Sequence, residues 1–132
     1  MLDTVARSQR DLARGWVGLL VWGPPLVAIA TTAVAEVASA TRAVVWSVAL
    51  LWAGSACVFN AWRSGRIHCS ITGPFFIALA AASLLHGLGL VPLGRQGWVW
   101  IGGLLALGGP LLTVLPERMW GRYSSRDRQR CC

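Results

Sequence analysis

Two of the four cysteines and one of the two histidines fall in the stretch Cys57 to Phe76, CVFNAWRSGRIHCSITGPFF, which joins two long apolar segments. Thiolate and imidazole are the side chains that select soft metal ions. Cys69 has His68 beside it and Arg66 three residues before it. Positive neighbours are the usual setting of a ligating or reactive cysteine. The candidate soft-metal ligands are therefore Cys69, His68 and Cys57, with the terminal pair Cys131 and Cys132 to complete the set. There is no C-x-x-C, and a lone cysteine in an apolar segment is often a small buried residue. The same stretch offers a second use as an anion or partner site built from Asn60, Arg63 and Arg66. Gly65 supplies a turn there, and Thr72-Gly73-Pro74 reads as a helix start.

The elements that position these residues are long and apolar. Four runs approach the roughly 20 residues needed to cross a bilayer as helix: about 16–35, 43–62, 74–93 and 98–115. None contains Asp, Glu or Arg. Nothing alternates with a period of two, so a membrane barrel is excluded. The expected fold is an all-α integral membrane protein with four transmembrane helices over 16–115. An interfacial leader (1–15) and an Arg-rich tail (116–132) flank it. A cleavable signal sequence is disfavoured, because the first apolar run is too long and Pro24-Pro25 breaks it.

The chain is 132 residues long with a formal charge of +7, and all twelve basic residues are Arg. These arginines gather at the ends of the apolar runs, which argues for membrane orientation and against nucleic acid as partner. Ten of them (7, 10, 14, 63, 66, 118, 122, 126, 128 and 130) share one side of the expected topology, and Arg42 and Arg95 hold the other. The positive-inside rule then puts both termini in the cytoplasm of an inner (plasma) membrane protein. Cysteines on that side are expected as reduced thiols.

Within the spans, Ala49, Ala53, Cys57 and Ala61 form a ribbon of small side chains that admits a neighbouring helix. An amide at the depth of Asn60 wants a partner, and His86 and Glu36 are the other intramembrane or interfacial polar candidates. The freed carbonyls of Pro24-Pro25 need outside donors. A short turn at 93–97 makes the third and fourth helices an antiparallel hairpin. No nucleophile–base or acid pair stands at suggestive spacing, so the chain reads as a non-enzyme. A four-helix thiol oxidoreductase of the kind that works on the oxidising side needs paired cysteines there, and the arginine count places none.

Asn60 to Pro74, N-A-W-R-S-G-R-I-H-C-S-I-T-G-P, resembles a signature of small prokaryotic inner-membrane proteins, approximately N-x-x-R-C-G-R-x-H-C-x-x-T-G-P. G-L-V-P-L-G-R-Q-G-W-V-W-I-G and L-P-E-R-M-W-G-R-Y are similar to later parts of that family, so the likeness runs from about Cys57 to Tyr123. It implies a four-helix inner-membrane protein and brings no activity with it. Ser64 stands where the signature has a cysteine. Two functional expectations follow: a thiophilic metal binder or transporter using the Cys/His stretch, or a non-catalytic accessory subunit of a larger membrane complex. The expected partners are the lipid bilayer and other membrane proteins or further copies of the chain.

Overall fold

A computed structural model describes residues 15–94 and 96–120, apart from the Trp120 side chain. The described residues form four α-helices: α1 (Gly15–Val34), α2 (Ser39–Ser64), α3 (Ile67–Gly87) and α4 (Gly97–Trp120). All four are long and apolar enough to cross a membrane, with mean hydropathies of 1.8, 1.6, 1.6 and 1.8 in chain order. Large apolar side chains such as Leu20, Val48, Trp62 and Leu107 are exposed on their outer faces. That surface is compatible with a multi-pass membrane protein. Residues 1–14 of the expected leader and 121–132 of the expected tail lie outside the described residues.

Packing runs in chain order. α2 makes its most extensive contact with α3, while α1 leans on α2 and α4 on α3. The backbones of α1 and α4 do not approach one another. The bundle is thus open along one side.

Two glycines explain the α2–α3 contact. A Cβ on Gly54 would lie 3.0 Å from the Gly73 carbonyl oxygen, and one on Gly73 would lie 3.1 Å from the Gly54 oxygen. Only hydrogen lets the two backbones pass so closely. Ala49, Ala53 and Cys57 of the small-residue ribbon are buried in this interface, and Ala61 is half-buried. Above it, Trp46, Leu50, Leu79, Ala80 and Ile101 form the buried apolar cluster. Ser47 donates to the Ala80 carbonyl across the same seam at 2.9 Å.

The prolines show how an apolar bundle tolerates missing donors. Pro24 and Pro25 lie inside a continuous α1. Pro25 cannot bond the Val21 carbonyl four residues back, and Trp52 Nε1 of α2 donates to that oxygen instead at 3.0 Å. Pro116 likewise frees the Leu112 carbonyl, which accepts from Thr72 Oγ1 of α3 at 3.5 Å.

The third helix begins at Ile67, not at Pro74 as the Thr-Gly-Pro stretch implies. Pro74 sits in its interior, and Arg66 is the N-cap. The reason lies at Gly65, whose left-handed conformation (φ 69°) closes α2 with its N–H on Ala61. Helix therefore restarts after a two-residue turn. α4 in turn carries through Pro116 to Trp120, so Glu117 lies within the last helix.

Candidate thiol site

The two-residue turn at Gly65–Arg66 puts His68 and Cys69 in the first turn of α3, against the last two turns of α2. The Gly54–Gly73 crossing fixes what they meet. Cys57 is three residues beyond Gly54 and Cys69 four before Gly73, so the two sulfurs face one another across the tightest part of the interface. The Cys57 and Cys69 thiols are neighbours there, and both are free and buried.

Around Cys69 the polar groups form one connected set. Asn60 Nδ2 donates to Cys69 Sγ at 3.5 Å, which supplies the amide with the partner its depth requires. Ser64 Oγ donates to the Asn60 carbonyl at 2.7 Å and lies 3.4 Å from its side-chain oxygen. His68 Nε2 is 3.2 Å from Cys69 Sγ. On the other side of the ring, His68 Nδ1 is 2.7 Å from Glu117 Oε1. Arg66 Nε reaches the same oxygen at 3.8 Å. With Nδ1–H donating to the carboxylate, the neutral ring presents Nε2 as an acceptor toward sulfur. Sulfur, imidazole and carboxylate thus stand in line, the order of a nucleophile, its base and the group that orients the base.

Sequence reasoning missed this line. Glu117 is 49 positions from His68 and follows a proline, so it carried the look of an interfacial acid. Its one local signal was position: a lone carboxylate at the end of an apolar run whose other end it does not share with any acid.

The remaining candidates scatter. Cys131 and Cys132 lie outside the described residues. Arg63 stacks over Phe59, with Cζ 5.5 Å from the ring centroid, and points away from the cluster. Asn60 faces Cys69 while Arg66 turns to Glu117, so Asn60, Arg63 and Arg66 do not converge on one anion position. His86 sits in the last turn of α3, at the opposite end of the bundle, with Nδ1 3.3 Å from the Val91 carbonyl and its ring edge-on to Trp98. Glu36 is exposed in the α1–α2 connection.

Among the described residues no three His, Cys, Asp or Glu side chains come together as a metal site. Both nitrogens of His68 are already engaged, one by Glu117 and one by Cys69. Among the described residues, the ligands expected from the sequence come together as two sulfurs with His68 beside them.

A cleft of about 570 Å³ lies between α1 and α4, floored by α2 and α3. Cys57, Thr72, His68, Arg66 and Glu117 line one part of it, and Trp22, Leu26, Ile29, Phe76 and Leu105 line the rest. Compared with known protein families, with curated proteins and with solved structures, the chain matches none.

Proposed function

We propose that the chain is a prokaryotic inner-membrane protein with both termini in the cytoplasm, and that Cys57 and Cys69 bind a thiophilic ion. One observation carries the reading: two buried thiols on different helices are neighbours across the α2–α3 interface. A two-sulfur site suits an ion that accepts two thiolates, such as Cu(I) or Hg(II). It does not suit Zn(II), whose sites take four ligands. The resemblance of Asn60 to Pro74 to a prokaryotic signature and the ten-to-two arginine split support the placement.

His68 supplies the acid–base part. Thiols must lose protons to ligate a metal. Nε2 takes the Cys69 proton at 3.2 Å, and Glu117 at 2.7 Å holds the resulting imidazolium. The proton is thereby kept in the site until it passes to solvent at the Arg66 end of the cleft.

The test is Hg(II) titration of the full chain in detergent with Cys131 and Cys132 both replaced by serine. Cys69→Ser keeps shape and hydrogen bonding but loses the sulfur, and affinity is expected to fall at least tenfold, about 1.4 kcal/mol. Unchanged stoichiometry and affinity would remove the metal reading.

Orientation is tested separately. Cys69 is 0 % exposed and cannot report on sidedness, so the terminal pair serves. A membrane-impermeant thiol reagent applied to intact cells is expected to leave Cys131 and Cys132 unlabelled and to label them after permeabilisation. Labelling from outside reverses the topology.

A further inference from the structure

The cleft between α1 and α4 opens on the thiol pair, and its chemistry specifies a ligand. Its volume of about 570 Å³ is in the range of pockets that take one drug-sized molecule. Because the α1 and α4 backbones do not meet, it is open sideways, where a membrane would present lipid-soluble compounds. The walls are apolar and partly flat, with Trp22, Pro25 and Phe76 among them. Into this apolar setting the structure sets one buried donor with no acceptor, Trp22 Nε1. A buried indole N–H normally finds a partner, so the cleft calls for a ligand that carries an acceptor. At the other end Arg66 and Glu117 approach within 3.8 Å of each other, which balances their charges and favours a neutral head over an anion. The Cys57 thiol lines the same space, and Cys69 stands behind it.

We propose that this cleft binds a neutral, membrane-dissolved quinone, and that the Cys57–Cys69 pair exchanges two electrons with it. A quinone meets each requirement: a flat apolar body and carbonyl oxygens that accept from Trp22 Nε1. It also supplies the oxidant that a thiol pair needs. In the forward direction Cys57–SH and Cys69–SH lose two electrons and two protons and join through a new S–S bond. The quinone gains both electrons and both protons and leaves as hydroquinone. His68 Nε2 receives the Cys69 proton and hands it on to the quinone in the cleft that it lines, and the Cys57 proton passes directly to the ligand it faces. The inference uses the sulfurs of the thiophilic-ion reading but stands or falls apart from it, since ion binding needs no quinone and quinone reduction needs no ion.

The experiment uses the full chain in nanodiscs, with Cys131 and Cys132 replaced by serine, fully reduced and free of oxygen. Decyl-ubiquinone is added, hydroquinone is followed by absorbance, and free thiols are counted by mass after alkylation. The proposal expects one hydroquinone formed and two thiols lost per chain. Cys57→Ser or Cys69→Ser should each abolish both. Trp22→Phe keeps the ring and removes the donor, and it should raise the quinone concentration at half-maximal rate about fivefold, the scale of one hydrogen bond. Two thiols that stay reduced in the parent chain overturn the proposal, as does thiol loss that rises linearly with quinone without saturating. Hg(II) titration of the same preparation separates the two readings. A chain that binds the ion and ignores the quinone overturns this inference alone, and the converse overturns the ion site alone.

Discussion

Gly73→Ala is expected to destabilise the bundle by about 1–3 kcal/mol, the usual cost of overpacking, and to part the thiol pair. The added methyl would lie 2.7 Å from Val58 Cγ2, 3.1 Å from the Gly54 oxygen and 3.2 Å from the Val58 nitrogen. Val58 Cγ2 can rotate away, but the Gly54 oxygen and the Val58 nitrogen are backbone, so relief requires α2 and α3 to separate. Separation moves Cys69 off Cys57 only one turn from the crossing, so Hg(II) affinity should fall in step with stability. Gly103→Ala is the control, because a Cβ there meets nothing within 4 Å, and substitutions at such open positions usually stay within about 0.5 kcal/mol. Equilibrium unfolding in micelles measures both. Equal stability of the two variants would contradict the close-crossing account.

The second large effect is a gain. Ser64 is 1 % exposed and sits one turn beyond Asn60, whose amide bonds Cys69. Ser64→Cys places a third sulfur at the rim of the thiol pair, in a position already enclosed by α2 and α3. The hydroxyl it replaces bonds the Asn60 carbonyl, a local contact whose loss costs about 1 kcal/mol. A third thiolate should tighten Hg(II) or Cu(I) binding at least tenfold, which is about 1.4 kcal/mol. Isothermal titration of the variant beside the parent chain reads this directly. An unchanged affinity would show that position 64 does not reach the bound ion.

The helices were legible because hydrocarbon length and the absence of charge leave few alternatives over 16–115. Their ends were less so. Pro74 looked like a first-turn proline, yet Gly65 had already closed α2, and a restart at Ile67 uses seven residues that would otherwise be loop. This one shift changes the chemistry, since His68 and Cys69 become helix residues locked against α2 and not loop ligands free to gather others. The ribbon Ala49, Ala53, Cys57 announced a close helix neighbour, but the residues that make the contact closest are Gly54 and Gly73, one on each partner. Pairing across helices is not a local property, so no spacing rule joined them. Glu117 was hidden for the same reason. Its partner His68 lies on a different helix, and only the antiparallel return of α4 along α3 brings the carboxylate to the imidazole. Asn60 was the residue best read from sequence alone, because a buried amide must find a partner and Cys69 is the nearest polar atom on the facing helix.

The central claim is that one thiophilic ion is held by two sulfurs from α2 and α3. X-ray absorption of the Hg(II)-loaded full chain, with Cys131 and Cys132 replaced by serine, tests it most directly. The account predicts one ion per chain with two sulfur neighbours and no nitrogen in the first coordination sphere, because a soft ion that accepts two thiolates needs no imidazole. Absence of sulfur coordination, or a four-ligand sphere containing imidazole nitrogen, would contradict it.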